Sequence, residues 1–499
     1  MTTEYTRAYW EKALADIRPK GDLFINGKLT RADTGLTFTR IRPMDGKPGA
    51  QIARGGINDV NHVVSAARAA FASGVWRRKE PAEKKAIMLR WAELIRENAE
   101  ELALLETIDT GKPIMASLNV DLKLAANCIQ YYGEFCDKLY DEIAPTGPND
   151  RALVRKVPLG VVGAITPWNY PMIIEAWKLG PAIAAGNSVV LKPAEQSSLT
   201  AIRLAELASE AGLPDGVLNV VTGYGEEVGK ALACHMDVDM IAFTGSTEVG
   251  KLIMGYAAST NLKRVALELG GKSPLVVFAD ADLDAAASAA AWGCFYNSGE
   301  TCHASTRLLA ERSVVDQLIE KIRAVTEREI TLAHPLDPST QIGALIEDSH
   351  LGKVLGMVEA GMRDGATRAF GGERVMAETG GYYVSPGVFV TPSNDNALAQ
   401  QEIFGPILTV IPFDTEEEAV RIANDTIYGL AAGVFTTNMN RAHRVSEEIQ
   451  AGTVWINTYD ISSLATPFGG FKQSGFGRDR SVHAIDKYCD YKTIWQRFG

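Results

Sequence analysis

The sequence is poor in residues that form covalent or metal-linked cross-bridges. Its 499 residues include six cysteines, and no two of them have CxxC spacing or combine with histidines at zinc-finger spacing. This pattern excludes a disulfide-stapled miniature and disfavours a cysteine-based structural metal site, so no bound metal is expected. Free thiols are typical of a reducing compartment, and we therefore expect a cytoplasmic protein.

The sequence also has no excess of positive charge and no typical membrane segment. Its 50 Lys+Arg and 61 Asp+Glu give a net charge of −11, which would not attract nucleic-acid phosphates or anionic lipid headgroups. The first residues, Met1 to Tyr5, lack the apolar core of a signal peptide. The longest uncharged run, residues 157–174, contains prolines and glycines that a lipid-exposed helix rarely carries. We expect neither a nucleic-acid nor a membrane partner, whereas a small anionic ligand is compatible with this charge.

The sequence does contain a large apolar fraction arranged in alternating strand and helix patterns. Apolar residues make up 46% and charged residues 22%, as in globular proteins, and the length suggests two or three domains. Continuous apolar strands separated by helix-length segments indicate parallel βαβ units with both sheet faces covered. The predicted strands are 161–165, 188–191, 217–221, 240–243 and 264–267, and the predicted helices include 172–185 and 198–211. A second series begins at 273–278, whereas residues 1–140 are expected to be mostly helical, as in 81–107.

Two glycine-rich segments are similar to phosphate-binding motifs. Residues 245–252 nearly match a P-loop, but Leu252 stands where Ser or Thr must bind Mg²⁺, which disfavours a nucleotide hydrolase. The segment still leads from a strand through a small-residue turn to a helix N-terminus, a suitable place for a phosphate. Gly223 and Gly225 with Gly229 are one residue too widely spaced for the Rossmann fingerprint. Taken alone, each motif is more typical of a tight turn than of a ligand site.

Cys302 has the most distinctive surroundings of the cysteines, because it follows a glycine-containing turn in residues 298–303. A buried inert thiol is the usual alternative. That alternative is preferred for the other five cysteines, Cys128, Cys136, Cys234, Cys294 and Cys489. Cys302 would instead be a covalent nucleophile if a dipole or a base activates it. His303 is a candidate base, but adjacent side chains point apart on most backbones, so this pairing is disfavoured.

Other polar residues follow the ends of predicted strands. Glu268 precedes two glycines, and it is either a catalytic group or a charged strand end beside a turn. Asn169 lies between two prolines, where its amide would either stabilise an oxyanion or belong to a rigid turn. Lys192 and Glu195 come directly after the next strand. Because the carboxyl ends of parallel strands meet at one edge of a sheet, we expect these side chains to share one crevice with Cys302.

Together these segments resemble the aldehyde dehydrogenase superfamily from residue 24 to the C-terminus. The resemblance is carried by TPWNYP (166–171), KPAE (192–195), FTGSTEVG (243–250), ELGGKSP (268–274), GETC (299–302), EIFGP (402–406) and PFGGFKQSGFGR (467–478). It implies the α/β fold of that family, with a Rossmann-like cofactor domain, a second α/β catalytic domain and a small oligomerisation flap. The implied cofactor domain comprises residues 1–143 and 160–269, the catalytic domain 270–480, and the oligomerisation segments 144–159 and 481–499. A homodimer or homotetramer is implied, assembled through residues 151–157 and 488–495.

The resemblance also implies a mechanism. Cys302 would attack an aldehyde as a thiolate, and the Asn169 amide with the Cys302 backbone N–H would hold the oxyanion. After hydride transfer to a nicotinamide, Glu268 would activate the water that releases the carboxylic acid. Lys178 and Asp479 match the family's proton relay behind Glu268, although a glutamate is commoner where Asp479 stands.

NAD is the cofactor that the resemblance implies. The matching cofactor positions are Ile165, Trp168, Lys192, Glu195, Gly225, Gly229, Phe243, Ser246, Leu269, Glu402 and Phe404. Glu195 would accept hydrogen bonds from a ribose hydroxyl and repel a 2′-phosphate, so NAD⁺ is favoured over NADP⁺, which the family also tolerates. Glu300 stands where the family usually has glutamine. Its carboxylate would either disfavour the Cys302 thiolate or alter local hydrogen bonds, and the sequence leaves both alternatives open.

The family's substrate tunnel maps onto aromatic residues, for which ordinary core packing is the alternative. These residues are Tyr170, Trp177, Tyr296 and Phe468. Such rings accept flat or aliphatic aldehydes, and their faces stabilise cations. Asp121 matches a position at the tunnel mouth that is acidic in relatives using ω-amino aldehydes, and Asp460 is a second candidate.

Segments at both ends of the chain resemble one bacterial subgroup, at residues 8–10, 477–481 and 492–495. That subgroup oxidises 4-(γ-glutamylamino)butanal and related aldehydes of putrescine and guanidinobutanal breakdown. An amine-derived aldehyde, such as 4-(γ-glutamylamino)butanal or 4-aminobutanal, is therefore expected. The loop 460–464 departs from the subgroup, and a broad-specificity or betaine-type aldehyde dehydrogenase is the alternative. An inactive binding protein and a coenzyme A-dependent enzyme are disfavoured, because Cys302 and Glu268 are both present.

Overall fold

The predicted alternation of strands and helices is confirmed in a computed structural model, which describes residues 5–499. The prediction that Met1 to Tyr5 are not part of a signal peptide concerns residues that lie outside the described range, apart from Tyr5. In chain order the strands are β1 (Leu23–Ile25), β2 (Lys28–Thr30), β3 (Thr37–Ile41), β4 (Pro48–Ala53), β5 (Glu142–Ala144), β6 (Asp150–Pro158), β7 (Val161–Ile165), β8 (Ser188–Lys192), β9 (Leu218–Val220), β10 (Met240–Thr244), β11 (Arg264–Glu268), β12 (Pro274–Val277), β13 (Arg307–Glu311), β14 (Thr367–Phe370), β15 (Arg374–Val375), β16 (Tyr383–Val384), β17 (Gly387–Val390), β18 (Ile407–Phe413), β19 (Ala431–Phe435), β20 (Thr453–Ile456), β21 (Gly475–Phe476) and β22 (Cys489–Arg497). The helices are α1 (Arg7–Asp16), α2 (Ile57–Ser73), α3 (Pro81–Glu97), α4 (Ala99–Thr110), α5 (Ile114–Ala116), α6 (Leu122–Phe135), α7 (Pro171–Ala184), α8 (Leu199–Glu210), α9 (Lys230–Cys234), α10 (Thr247–Ala258), α11 (Leu283–Phe295), α12 (Val315–Glu329), α13 (Asp348–Arg363), α14 (Ala397–Gln400), α15 (Glu416–Asn424), α16 (Met439–Glu448) and α17 (His483–Asp486).

The first large sheet has the strand order β2-β1-β9-β8-β7-β10-β11-β21. Its five central strands, β9 to β11 in that order, are parallel. Alternate residues of β7 face opposite cores: Val162 and Ala164 pack with α3, α6, α7 and α8, whereas Val161 and Ile165 pack with α2, α9 and α10. Because both faces are covered, every position of β7 is buried and the strand is a continuous apolar run.

The second large sheet has the order β14-β17-β18-β13-β12-β19-β20 and is parallel except at β14. Its strand β12 also divides its side chains between two cores. Leu275 and Val277 face α11 and α12, and Val276 faces α15 and α16. The chain passes from the first sheet to the second between Glu268 and Pro274. Glu268 is the last residue of β11, so it lies directly at the start of this short connection.

A third sheet has the order β22-β6-β5. Strand β22 pairs antiparallel with β6, from Asp150 with Arg497 to Pro158 with Cys489. The segments predicted for oligomerisation therefore pair with each other. Strand β21, which falls within the predicted catalytic domain, adds an antiparallel edge to the first sheet. The domain boundaries themselves stay a prediction.

The N-terminal part is mostly helical, as expected, since helices cover more than half of residues 5–140, but it differs from the expectation in two details. Residues 23–53 form four short strands instead of helix, and β1 joins the first sheet beside β9. The helical run 81–107 is two helices, because the backbone leaves helical values at Asn98 (φ −102°, ψ 30°). The Asn98 amide donates to the Leu94 carbonyl (2.8 Å), and such local side-chain hydrogen bonds compete with helix continuation.

The uncharged run 157–174 forms the end of β6, all of β7 and the first turn of α7. No helix in residues 5–499 is long and apolar enough to cross a membrane. Within the same described range, no group of three His, Cys, Asp or Glu side chains could hold a metal ion.

Candidate active site

A cavity of about 820 Å³ opens at the carboxyl ends of β7, β8 and β10, where ligands bind in open parallel sheets. We call it the large cavity. Its lining includes Ile165, Trp168, Lys192, Glu195, Gly225, Gly229 and Phe243. Lys192 Nζ and Glu195 Oε2 form an ion pair at 3.0 Å. The wall after β8 therefore presents a carboxylate that is already held in place by a neighbouring cation.

The residues of the large cavity fit a dinucleotide. A Cβ atom added at Gly225 or at Gly229 would meet no atom of the described chain within 4 Å, so these glycines leave room in the cavity. Ser246 caps α10, since its hydroxyl accepts from the Val249 N–H (3.3 Å). The N-terminus of that twelve-residue helix favours an anionic group such as a pyrophosphate.

A second cavity of about 350 Å³, the small cavity, adjoins the first and shares Pro167 and Trp168 with it. Cys302 and Asn169 line the small cavity. Its lining also includes Ser246, Leu269, Glu402 and Phe404. The two cavities form one crevice, and an extended ligand in it would bring one end to the Cys302 thiol and the other to Glu195.

A strained turn holds Cys302 in the small cavity. Asn297, Ser298 and Gly299 all have positive φ values, of 52°, 55° and 73°. A Cβ atom at residue 299 would lie 2.2 Å from the Gly405 carbonyl, so glycine is required there. Left-handed asparagine and serine cost conformational energy and persist where surrounding contacts fix them, a feature that is concentrated at functional sites.

Asn169 is tied to the same turn by hydrogen bonds. Its Nδ2 donates to the Glu300 carbonyl (2.9 Å), and its own carbonyl accepts from Asn297 Nδ2 (3.1 Å). An amide nitrogen carries two N–H groups, so one of them is left to donate to a ligand. The arrangement can therefore stabilise negative charge on an oxygen beside Cys302.

Glu268 and Lys178 belong to a buried network of charged groups. Asp479 accepts hydrogen bonds from Lys178 Nζ (3.2 Å) and from Lys487. Both carboxyl oxygens of Glu268 are buried and have no hydrogen-bond partner among residues 5–499. Burial and the Asp479 carboxylate raise the pKa of Glu268 well above its ordinary value, whereas burial lowers the pKa of Lys178. A neutral carboxyl group near a lysine that gives up its proton readily is suited to proton transfer.

Known proteins are similar to this chain in sequence and in fold. The sequence matches the aldehyde dehydrogenase family over residues 30–494. It is 47% identical over 489 residues to the NADP/NAD-dependent aldehyde dehydrogenase PuuC of Escherichia coli (strain K12), with 98% of each chain covered. The chain belongs to the aldehyde dehydrogenase family.

Two solved structures are similar over the whole chain. Gamma-glutamyl-gamma-aminobutyraldehyde dehydrogenase from Burkholderia cenocepacia J2315 has a TM-score of 0.97 and 53% identity, covering 99% of this chain and 100% of that one. The indole-3-acetaldehyde dehydrogenase AldA of P. syringae, solved with NAD⁺ and IAA, has a TM-score of 0.98 and 51% identity at the same coverage. The predicted family, its α/β fold and the enzyme class, an NAD-dependent aldehyde dehydrogenase, are confirmed.

In this aldehyde dehydrogenase, Phe404 lines the small cavity with a strained backbone, and a hydrogen bond fixes its carbonyl. Its φ is 60°, and its carbonyl accepts from His350 Nε2 (2.7 Å). Burial lowers the pKa of His350 to about 4, so the ring is neutral and Nε2 carries the donated proton. The Phe404 ring meets Trp168 edge-on, with centroids 5.3 Å apart, and Glu402 accepts from the Gly271 N–H (2.9 Å).

The two alternatives for Glu300 are decided in favour of hydrogen bonding. Its Oε1 accepts from the Ile346 N–H (2.9 Å). Burial raises the pKa of Glu300 well above its ordinary value, which favours the neutral form of the side chain. A neutral carboxyl group does not oppose a thiolate at Cys302.

The aromatic residues predicted for the aldehyde tunnel lie in contacting groups. The rings of Trp177 and Phe468 are 5.3 Å apart, and the Arg480 guanidinium lies 5.2 Å from the first and 5.0 Å from the second. The Tyr170 hydroxyl bonds the Thr301 hydroxyl (2.8 Å). The Tyr296 hydroxyl is buried and has no hydrogen-bond partner in the described part of the chain.

Asp121 has a partner inside the protein, and its role at the tunnel mouth stays a prediction. Asp121 is completely buried and forms an ion pair with Lys112, which is also buried. Lys112 Nζ lies 4.0 Å above the Tyr170 ring. The carboxylate therefore has an internal cation as its partner.

The expectation that His303 points away from Cys302 is wrong. His303 Nδ1 lies 3.8 Å from Cys302 Sγ, and its Nε2 lies 2.7 Å from Asp460 Oδ1. The turn that ends at residue 304 brings the two side chains to the same side, because Ala304 N–H bonds back to the Thr301 carbonyl (3.1 Å). Asp460, the second candidate acid, thus faces a histidine.

Sequence reasoning missed several residues of the site. The start of α13 contributes Glu347, Ser349, His350 and Lys353 to the small cavity. Lys112 and Lys487 complete the two buried ion pairs. An isolated lysine carries no signal of burial, so only an acidic residue facing it in the fold could reveal these positions.

Proposed function

We propose that this aldehyde dehydrogenase oxidises an amine-derived aldehyde to its carboxylic acid through a covalent intermediate on Cys302. The continuous crevice carries the proposal, because Cys302 and Asn169 lie at one end and Lys192 and Glu195 at the other. The Burkholderia relative is named for gamma-glutamyl-gamma-aminobutyraldehyde, which supports an amine-derived substrate and a role in polyamine breakdown.

The residues of the large cavity would hold the adenosine half of the cofactor. Lys192 and Glu195 would bind the ribose hydroxyls, and the Ser246 end of α10 would face the pyrophosphate. Glu402 and Phe404 would position the nicotinamide half beside Cys302. The Glu195 carboxylate accepts from a ribose hydroxyl and repels a 2′-phosphate, so NAD⁺ would be preferred over NADP⁺.

In the first half of the reaction the Cys302 thiolate attacks the aldehyde carbon. The free N–H of the Asn169 amide and the Cys302 backbone N–H donate to the resulting oxyanion and stabilise the thiohemiacetal. Bound NAD⁺ supplies the acceptor for the hydride that leaves this carbon. Cys302 then carries a thioester.

In the second half Glu268 takes a proton from the water that attacks the thioester. Burial and the Asp479 charge raise its pKa, which favours the protonated form. It must therefore first release its proton, and Lys178 with Asp479 provides an internal route. The carboxylic acid leaves, and the Cys302 thiolate is restored.

The internal pairing of Asp121 bears on the choice of aldehyde. A free ω-ammonium group would need an unpaired carboxylate or an open ring face in the tunnel, and Asp121 is already neutralised by Lys112. A neutral amide group needs neither. The pairing therefore favours 4-(γ-glutamylamino)butanal over 4-aminobutanal. Comparing kcat/KM for these two aldehydes, betaine aldehyde and an aliphatic aldehyde tests this choice, and a preference for 4-aminobutanal would contradict it.

We propose that the chain works as a cytoplasmic homodimer or homotetramer assembled through the third sheet. Ile143, Tyr491 and Trp495 on this sheet are large apolar side chains that are exposed in the single chain, and an exposed apolar surface of this kind is typical of an interface. Light scattering tests the assembly, and a monomer at micromolar concentration would refute it.

Replacement of Cys302 tests the covalent mechanism. Cys302→Ala should abolish NADH formation from aldehyde while leaving NAD⁺ binding intact, because the crevice keeps its other walls. Cys234→Ala, at a half-buried thiol outside the small cavity, is the matched control and should retain full activity. Turnover by Cys302→Ala would contradict the proposal.

Replacement of Glu268 separates the two halves of the reaction. Glu268→Gln should keep a pre-steady-state burst of NADH and lose steady-state turnover by about 10²-fold or more, since a positioned general base contributes this much. Loss of the burst itself would show that Glu268 also acts before the thioester forms.

A further inference from the structure

The side chain of His303 connects the Cys302 thiol to the Asp460 carboxylate. Nδ1 of the imidazole faces Sγ at 3.8 Å, and Nε2 faces Asp460 Oδ1 at 2.7 Å. Sulfur has a larger radius than oxygen, and contacts in sites without ligands often tighten when substrate binds. The three groups thus have the order nucleophile, base and carboxylate that defines an activated thiol.

The backbone around these groups holds the imidazole in this orientation. Asp460 has a φ of 61°, so its loop is strained at the residue that faces His303. The Tyr459 hydroxyl donates to the His303 carbonyl (2.6 Å), and Trp455 Nε1 donates to the Ile461 carbonyl (2.8 Å). Contacts on both sides of Asp460 therefore fix a conformation that the chain would otherwise avoid.

The charged and titratable groups around the imidazole favour a cation. Burial lowers the pKa of His303, but the charge and hydrogen bond of Asp460, with a smaller contribution from Cys302, outweigh it and raise that pKa to about 10. Burial raises the pKa of Asp460, and His303 and Arg480 lower it below its ordinary value overall. The phenols facing Asp460, Tyr170 and Tyr296, have raised pKa values and are neutral.

The ring also lies beside Phe468, one of the predicted tunnel residues, and beside Trp455. Its centroid is 5.6 Å from that of Phe468 and 6.1 Å from that of Trp455. The side chain is 17% exposed, against 46% for Asp460. The hydrogen bonds of the His303 ring go to Cys302 and Asp460, and in the described residues none joins it to Glu268 or Lys178, so the two groups can act on different steps.

We propose that His303, oriented by Asp460, is a second catalytic residue that removes the proton from the Cys302 thiol before the aldehyde is attacked. The inference rests on the proposed role of Cys302 as the nucleophile. The S–H bond of Cys302 breaks, its electron pair stays on sulfur, and the proton forms an N–H bond at Nδ1 of His303, so that the pair rests as a thiolate beside an imidazolium. The imidazolium donates its other N–H to the Asp460 carboxylate. The imidazolium keeps the proton from Cys302 while Cys302 carries the thioester and pairs again with the thiolate when the carboxylic acid leaves, so the cycle releases only the proton that Glu268 takes from water.

The experiment measures alkylation of Cys302 by iodoacetamide from pH 5 to 10, with the modified peptide quantified by mass spectrometry. In the unaltered enzyme we expect fast alkylation at pH 7 and a half-maximal rate below this pH. In His303→Gln the rate at pH 7 should fall about 10-fold or more, since each unit by which the thiol's titration rises leaves one-tenth of the thiolate. The half-maximal pH should rise, and the rates should converge near pH 10.

Asp460→Asn is the second variant. Asp460 lies on a partly exposed loop, and this substitution removes only the charge that stabilises the imidazolium. We expect its half-maximal pH to lie between those of the unaltered enzyme and His303→Gln. Asp414→Asn, which removes the carboxylate of an exposed ion pair with Arg312, is the matched control and should leave the profile unchanged.

An unchanged half-maximal pH in both variants would overturn the inference. So would a rate that is reduced by the same factor at every pH, since that pattern indicates altered access to the thiol. If alkylation of Cys302 in the unaltered enzyme leaves NADH formation intact, the nucleophile assignment fails instead, and the two failures are thus distinguishable.

Discussion

Two buried lysine–aspartate pairs lie on opposite sides of the reaction chemistry, and they differ in their neighbours. Lys178 with Asp479 lies behind Glu268, and Lys112 with Asp121 lies beneath Tyr170. The side chains are 1% and 0% exposed in each pair. Pairing and burial are the same, so any difference in behaviour must come from the groups around them.

The surroundings of the aspartates shift their pKa values in opposite directions. Burial raises the pKa of Asp479. The charges and hydrogen bonds of Lys178 and Lys487 lower this pKa by more than burial raises it, so the net shift is downward. Burial raises the pKa of Asp121, and its one lysine partner in the described chain, Lys112, does not compensate. A second cation therefore lowers the pKa of Asp479 overall, whereas the single cation beside Asp121 leaves its pKa raised.

The comparison teaches that a buried ion pair does not by itself indicate catalysis. The pair behind Glu268 influences the pKa of that buried carboxyl group through its charges, which links it to a group that the mechanism uses. The pair beneath Tyr170 borders Glu106, another acid that is neutral when buried. We assign proton transfer to the first pair and structural support to the second.

The largest effect is expected from Asp121→Ala, which leaves Lys112 charged and unpaired in the interior. Removing one partner of a buried pair costs about 3–5 kcal/mol, so the free energy of unfolding in urea should fall by this amount. Activity per folded molecule should change little.

The double variant Lys112→Met with Asp121→Leu is the control for this prediction. It removes both charges and keeps similar volumes, and such replacements of a whole pair are often neutral or stabilising. Equal destabilisation in the single and double variants would show that packing, and not the unpaired charge, is responsible.

Asp479→Asn should lower stability, as in the other pair, and should in addition lower turnover. Lys178 loses the carboxylate that supports its charge, so we expect the steady-state rate to fall by up to about 10²-fold, the lower range for a positioned proton-transfer group. The NADH burst should persist, as measured by stopped flow. Asp490→Asn, which removes the partner of exposed Arg264, is the control, and a burst lost together with the steady-state rate would contradict a role confined to deacylation.

The pH dependence of stability should show the raised pKa of Glu106, which lies beside the Lys112–Asp121 pair. Burial and the Asp121 charge raise the pKa of Glu106 from 4.5 to about 8, against the opposing effect of Lys112. The folded protein thus keeps this proton while the unfolded chain releases it, and stability falls as pH rises from about 4.5 to 8. Glu106→Gln should flatten this slope, measured as the urea midpoint between pH 5 and 8. An identical slope would contradict the assignment.

The smallest effect is expected at Arg312 and Asp414, an ion pair with similar geometry that is about 60% exposed on both sides. Arg312→Ala should leave the urea midpoint within experimental error, because exposed pairs are screened by water and salt. A clear loss of stability would show that pairing matters more than burial and would weaken the comparison.

The strand ends that carry the site could be predicted because strands buried on both faces are continuous apolar runs. Residues 161–165 and 188–192 show this pattern, and the polar residues after them reach the same crevice. The strands of residues 23–53 could not be predicted, since each is three to six residues long and partly exposed. Their pairing partners, such as β9 for β1, are distant in sequence.

The contacts of His303 and Asp121 could not be predicted for a different reason. His303 and Asp460 are 157 positions apart, and their contact depends on a positive φ at Asp460 that no local pattern encodes. The residues next to Asp121 in the sequence do not indicate whether its carboxylate faces a tunnel or pairs with Lys112. Motifs predict which residue types act, but long-range packing decides which charges remain free.

The pairing of β6 with β22 sets the order in which the molecule can be completed during its synthesis. Strand β6 ends at Pro158 and its partner begins at Cys489, so β6 waits for almost the entire remaining chain. At roughly 5–20 residues per second, this delay is on the order of tens of seconds. Asp479 and Lys487 emerge in the same last stretch. A nascent chain can thus build the large cavity long before it can build the proton route behind Glu268, and cofactor binding is available to it well before turnover.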